Sequence, residues 1–421
     1  MSDKTHAPAP PARPRQALLP LDQALQQLLD TVQTLEQVET VATLQADGRV
    51  LRQNVVSALH VPPQDNSSMD GYALRCADVT QPGQVMPVSQ RIAAGGMGVA
   101  LAPGTAARIF TGAPVPAGAD AIVMQEDCSV LDGEPARIAV QAVPSPGQWI
   151  RRAGEDVARG DVVLAEGTRL TPAALGLAAS VGLADLQVVR RPRVALFSTG
   201  DELVMPGTVA PDAMRPGAIY NSNRFFLTQL LKRLGCEVTD YGIVPDQREA
   251  TIQALQNASL QSDVILTSGG VSVGEEDHIK PAVQALGQLD LWQIAIKPGK
   301  PFAHGRVGAA HFIGLPGNPV SSYVTFLLLV RPFLLRLQGV QDLACSPLPL
   351  RADFDWPRPD RRQEFLRVRR NAQGGLDLYS NQSSGVLTSV QWADGLVDNP
   401  AGRAIARGDT VSFVSLADLL G

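Results

Sequence analysis

The chain has 421 residues, which at about 150 residues per domain points to roughly three domains. Hydrophobic residues make up 45% and charged residues 18%, an ordinary balance for a folded protein, and the net charge of -5 is spread without long runs. That excludes a nucleic-acid binder with a basic stripe, but not small anionic ligands, which need only a few local cations.

Residues 7–14 (APAPPARP) predict a disordered tail, set at residues 1–17, and no apolar signal core precedes them. Apolar residues at helical spacing predict an amphipathic helix over Leu18–Leu29 and a second over Val41–Gln53. From Ser57 to about Ile150, short apolar runs alternate with Pro and Gly turns, the pattern of a β-rich segment. Thr171 followed by Pro172 suits the cap and first turn of a helix to Ser180.

A third texture starts at Arg193. Strands around VALFST, Glu237–Val244, DVILTS, Ile294 and Phe312 alternate with helices at Asn223–Leu234, Arg248–Ser259, His278–Leu286 and Val320–Leu337. The alternation predicts a parallel α/β domain with its site at the carboxyl ends of the strands. The most apolar run, Val324–Leu335, contains Arg331 and Pro332 and falls short of the ~20 residues of a membrane span, so it is taken as a core helix. After Gly339, short strands at Arg351–Phe354, Glu364–Val368, Leu376–Tyr379 and Thr410–Val414 predict a small β-domain. Cys76, Cys128, Cys236 and Cys345 form no CxxC pair, so neither a zinc site nor a redox motif is expected, and a reducing cytoplasm is.

Three polar turns fall at strand ends: Ser198-Thr199-Gly200-Asp201-Glu202, Thr267-Ser268-Gly269-Gly270-Val271-Ser272 and Gly314-Leu315-Pro316-Gly317-Asn318-Pro319-Val320-Ser321. Small residues at a helix start let backbone N–H groups approach an oxyanion, although any sharp strand-to-helix turn also uses glycine. Glu202, Asp246 and Asp277 lie beside the turns. They are either helix caps or a magnesium site, since Mg²⁺ takes one or two carboxylates plus phosphate oxygens. Lys297-Pro298-Gly299-Lys300-Pro301 sets two lysines three residues apart in a stiff loop, either a preformed anion site or a solvated turn. In the β-rich segment, polar groups accumulate at Asp65–Ala73, Arg108–Ala113, Gln125–Asp127 and Arg151–Asp156, more than turn chemistry alone requires.

In order along the chain, DNSSMDGYA, FTGAPVP, RRAGEDV, FSTGDEL, SGGVSVGEEDH, IKPGKPFAHG and GLPGNPVSS resemble the molybdopterin molybdenumtransferases, that is, the bacterial MoeA proteins and the E domain of gephyrin. The resemblance covers everything from Leu18 onward. It implies four domains: an elongated helical/β domain from residues 18–56 and 157–190, a β-rich domain inserted at 57–156, a molybdopterin-binding α/β domain at 191–338, and a C-terminal β-barrel at 339–421. It also implies a homodimer in which Asp70 and Thr111 of one copy face Glu202, Asp246 and Asp277 of the other. The substrates implied are adenylyl-molybdopterin and molybdate, with Mg²⁺ as cofactor and AMP released.

By the same resemblance, Ser198, Thr199, Gly200, Ser268, Gly269, Gly270, Ser272, Pro316, Asn318 and Pro319 hold the nucleotide. Asp277, helped by Asp246 or Glu202, holds the metal. Lys297, Lys300, Arg367 and Ser384 hold molybdate. Asp70, Thr111, Glu202, Asp246, Asp277, Lys297 and Lys300 together form the catalytic set. The rival readings are the preceding enzyme, molybdopterin adenylyltransferase, also a candidate partner, and a gephyrin-like scaffold. The inserted segment and the C-terminal domain argue against the first, whose chain is a single α/β domain.

Overall fold

The computed structural model describes residues 18–244, 247–270 and 279–420. The chain forms two compact units. One takes the chain up to Glu39, Gly48–Val50 and everything from Val188, and the other takes Thr40–Asp47 and Leu51–Gln187.

The larger unit is built on a six-stranded sheet. Arg193–Thr199, Glu237–Val244, Val264–Ser268 and Ala310–Leu315 run parallel, and Pro301–Val307 and Gly287–Gln293 continue the sheet antiparallel at one edge. Side chains alternate across the pleat. Val194, Leu196, Val264, Leu266 and Ile313 face Leu227, Leu231, Val324 and Phe333, while Ala195, Phe197, Ile265 and Phe312 face Leu255, Ala258 and Val283. The helix Leu21–Asp30 docks Ala24 and Leu28 into the first of these cores.

The wholly parallel sheet expected from the alternation is corrected here. Ile294 sits in a bridge to Leu19 rather than in a core strand, and the segments around it form an antiparallel pair. The edge strand Gly287–Gln293 has a half-buried pattern with Gln288, Asp290 and Gln293 interleaved, so no long apolar run marked it. The apolar helix spans Pro319–Leu337 and 78% of its hydrophobic window is buried inside the protein. Its middle, Phe326–Val330, widens into a π-helical turn. Pro332 explains this: it has no N–H to give to residue 328, and its ring crowds that carbonyl.

The C-terminal segment closes a five-stranded barrel. Gln363–Arg370 pairs with both Gly375–Leu378 and Gly395–Asn399, and Thr410–Ser415 and Leu348–Ala352 complete the ring. Its core is Phe354, Leu366, Val368, Leu376, Val397, Val411 and Phe413. Gly395–Asn399 (GLVDN) was not expected, because Gly, Asp and Asn disguise a strand whose other residues are buried.

The smaller unit holds a second six-stranded sheet, in the order Ala121–Met124, Gly71–Leu74, Ala106–Ile109, Gln84–Ile92, Arg137–Val140, Cys128–Leu131. The helix Pro172–Ser180 forms as expected, with Thr171 Oγ1 accepting from Ala174 N at 3.3 Å. The helix expected over Val41–Gln53 does not form. Val38–Ala42 is a strand, Thr43–Gln45 a single tight turn, and Gly48 takes a left-handed φ of 69°. The β-branched Val38, Thr40, Val41 and Thr43 favour the extended chain, and Gly48 breaks any helix through it.

His304 and His311, each 4% exposed, lie on neighbouring antiparallel strands with rings 5.9 Å apart. Burial, followed by the charge of Arg306, pushes His304 down to about 4 and His311 to about 3. Both are therefore neutral when folded, whereas the unfolded chain protonates them near the ordinary 6.5. Their contribution to stability is complete above pH 6.5 and is lost as pH falls toward 4 and then 3, by up to about 1.4 kcal/mol per histidine per pH unit. The thermal midpoint is expected to fall through this window, and to fall less steeply in His311→Gln. Equal slopes would refute the assignment.

Candidate ligand cavity at the strand ends

Three parallel strands, Arg193–Thr199, Val264–Ser268 and Ala310–Leu315, deliver their carboxyl ends to one cavity of about 650 Å³. This size suits a small organic ligand. Thr199, Gly200, Glu202, Ser268, Gly269, Gly270, Pro316, Asn318 and Pro319 line it, as expected from the sequence. Ser198 sits one residue behind Thr199, fully buried. Asp246, Ser272 and Asp277 lie outside the described residues.

The glycines are required by geometry. Gly269 has φ 93°, and a Cβ there would lie 2.6 Å from the Thr199 carbonyl oxygen; a Cβ on Gly270 would lie 2.7 Å from Ile279. The two turns therefore touch backbone to backbone. Asn223 ties the second turn to the third, donating to Ser268 Oγ at 2.8 Å and to the Gly317 carbonyl at 2.7 Å. Thr199 Oγ1 and Asn221 Nδ2 are buried on the cavity wall with no hydrogen-bond partner among the described residues. Such groups are costly unless something satisfies them, and a ligand in the cavity would. Asn221 and Asn223 were not singled out from sequence. The run Asn-Ser-Asn directly before a helix was their one signal, and it is indistinguishable from ordinary capping.

Neither Lys297 nor Lys300 lines this cavity. Ile296–Lys297 pairs in parallel register with the barrel strand, Lys297 opposite Glu364. The Lys297 ammonium lies 3.2 Å from Glu364 Oε1 and 3.4 Å from Asp360 Oδ2. Lys300 lines a second cavity of about 300 Å³ with Leu18, Asp360, Arg361 and Arg362. Among the described residues Pro301 is on the wall of the first cavity and its neighbour Lys300 on that of the second. The physical reason is the barrel strand, whose buried Glu364 captures the nearer lysine.

Arg367 is 1% exposed on the opposite face of that strand from Glu364. It donates to the Phe365 carbonyl, Ser389 Oγ and the Ser383 carbonyl, so among the described residues its guanidinium bonds only to uncharged oxygens. Burial pushes it down to about 10. The turn it braces reaches the first cavity: Ser384 accepts from Val320 N at 3.0 Å, and Gly385 lines the wall.

In the smaller unit Asp70 and Thr111 meet. Asp70 Oδ1 accepts from Thr111 N and from Thr111 Oγ1, both at 2.8 Å. The Thr111 backbone bond, then its side chain, holds the Asp70 carboxyl below the usual range. Beside them, Arg108 lies over the rings of Tyr72 and Phe110. No group of three or more metal-binding side chains occurs among the described residues.

Parallel strands whose carboxyl-end turns line a cavity define an α/β protein with a pocket at the place where such sheets take their ligands. Family models match the chain almost throughout: the MoeA N-terminal region (domain I and II) over residues 19–182, a "probable molybdopterin binding domain" over 195–336, and the MoeA C-terminal region (domain IV) over 349–416. The chain is 43% identical over 410 residues to the molybdopterin molybdenumtransferase of Haemophilus influenzae, covering 96% of this chain and 100% of that one. It is 39% identical to molybdopterin molybdenumtransferase 2 of Mycobacterium tuberculosis, covering 86% and 90%. The crystal structure of the molybdopterin biosynthesis MoeA protein of Pyrococcus horikoshii superposes with a TM-score of 0.82 at 28% identity, over 95% of this chain and 100% of that one. The chain belongs to the MoeA family.

Proposed function

We propose that the protein is a molybdopterin molybdenumtransferase, which takes adenylyl-molybdopterin and molybdate, completes the molybdenum cofactor and releases AMP. The observation that carries this reading is the pair of buried polar groups, Thr199 Oγ1 and Asn221 Nδ2, unpartnered among the described residues, on the wall of a nucleotide-sized cavity in a chain of this family. The turns at Ser198–Gly200, Ser268–Ser272 and Pro316–Pro319 hold the nucleotide end. Arg367, with Ser384 beside it, and Lys297 and Lys300 supply the positive charge and donors a molybdate dianion needs. As the two thiols replace oxo groups of molybdate, which leave as water, water cleaves the phosphoric anhydride, so AMP leaves and the pterin keeps its own phosphate.

For Mg²⁺, the described donors at the first cavity are the Glu202 carboxylate and the orphan Thr199 hydroxyl, hard oxygen ligands of the kind this ion takes alongside phosphate. Asp246 and Asp277 are the proposed companions. The ion, when bound, offsets charge on the phosphate. Glu202 would hold it, and Asn223 keeps the second and third turns in register around it. In this reading the chain works as a homodimer, with Asp70 and Thr111 completing the site from the second copy. Its four free cysteines agree with a reducing cytoplasm.

The test is to supply purified protein with adenylyl-molybdopterin, Mg²⁺ and molybdate, and to follow AMP release together with reconstitution of an apo-molybdoenzyme. Both are expected to depend on molybdate. Adenylate formation from ATP and molybdopterin without molybdate would instead favour the adenylyltransferase. In the same assay Gly269→Ala is expected to weaken AMP binding at least about tenfold, because its Cβ must push Thr199 out of the wall. Unchanged AMP affinity would move the nucleotide elsewhere.

A further inference from the structure

Glu364 is 0% exposed at the end of the barrel strand, a position where a carboxylate survives only if it is fully bonded. Its Oε2 accepts from Trp356 Nε1 at 2.8 Å, from Asp360 N at 3.1 Å and from Asn399 Nδ2 at 3.5 Å, which leaves Oε1 for Lys297. Asp360, the second carboxylate on Lys297, is itself held by Arg362, which meets both of its oxygens at 3.0 Å. Neither acid can swing, so the ammonium at the end of a flexible four-carbon stem is fixed in place. An ammonium has three N–H bonds; one is given to Glu364, and Asp360 adds an ion pair beside it. The side chain of Lys297 nevertheless remains 38% exposed. Asp360 also lines the cavity of Lys300, Arg361 and Arg362, so the clamp borders a pocket rich in cations.

We propose that Glu364 is a positioning residue: anchored by Trp356, it commits Lys297 against the carboxylates and leaves its other N–H bonds aimed at a tetrahedral oxyanion, molybdate. This rests on the reading that Lys297 holds molybdate. Glu364 contributes nothing to the nucleotide end, so its loss separates the two substrates.

The experiment uses the full chain and measures molybdate KM, kcat for AMP release and AMP affinity. Glu364→Gln is expected to raise the molybdate KM about tenfold, with kcat and AMP affinity within about twofold of the parent. Lys297→Ala with Glu364→Gln is expected to be no worse than Lys297→Ala alone, because Glu364 acts through the lysine. Should Glu364→Gln fail to fold, Trp356→Phe, which keeps a ring but removes the anchoring N–H, is expected to raise the same KM about threefold. An unchanged molybdate KM in Glu364→Gln, or in Trp356→Phe if that replaces it, overturns the proposal. So does a Glu364→Gln effect that persists in full when Lys297 is already alanine. If Lys297→Ala itself leaves the molybdate KM unchanged, the reading of the lysine fails and the proposal with it. If Lys297→Ala raises it and Glu364→Gln does not, only the proposal fails.

Discussion

Arg367→Met is expected to lower the rate of molybdate-dependent AMP release on the order of a hundredfold at low molybdate, and much less at saturating molybdate. Methionine has a comparable length and no charge, so the change removes the cation without opening a large void. Arg367 is buried with only carbonyl and hydroxyl partners among the described residues. A guanidinium placed this way is poorly compensated, and an arriving dianion would compensate it. The same reasoning limits the structural damage: the variant gives up three neutral-acceptor bonds but also the penalty of an unpaired buried charge, so the thermal midpoint is expected to move only a few degrees. Steady-state AMP release across a molybdate series, with a melting curve beside it, checks both statements. A variant that kept the parental molybdate KM, or that simply unfolded, would make Arg367 a brace for the Ser383–Gly385 turn and nothing more.

The second large effect concerns subunit cooperation. Asp70→Ala and Lys297→Ala are each expected to lose most of the parental rate at low molybdate, with Lys297→Ala keeping a measurable rate at high molybdate. Asp70 lies in the smaller unit, bonded to Thr111, and Lys297 in the larger one. If one site draws Asp70 from one copy and Lys297 from the other, mixing the two variants and allowing subunit exchange restores activity. Half the dimers are then mixed, and each has one intact site of two, so about a quarter of the parental rate is expected. No recovery after verified exchange would mean that both residues of a site come from one chain.

Much of the fold was legible because local chemistry and tertiary packing agree. Glu237–Val244 and Arg248–Ser259 form over the predicted residues, and Thr171 and Pro172 start a helix where a cap and a preset φ belong. The turns at Ser198–Glu202, Ser268–Gly270 and Pro316–Pro319 were readable for the same reason. Their small residues are needed locally, and a parallel sheet carries every strand's carboxyl end to one edge. The helix expected over Val41–Gln53 failed where periodicity and β-branching disagreed and the branched residues prevailed.

The sequence by itself determined the family, because its motifs are contiguous, and it supplied the residues proposed here to bind anions. Only the tertiary structure decided which of those residues share a wall. Asn221 and Asn223 became cavity groups because a helix start is packed against two other turns. Lys297 pairs with Glu364, 67 positions further on, and does not line the strand-end cavity. Spacing along a chain carries no information about such a partner. The pairing follows from the closure of a barrel whose buried carboxylate requires a cation, and that requirement is met only when distant strands come into register.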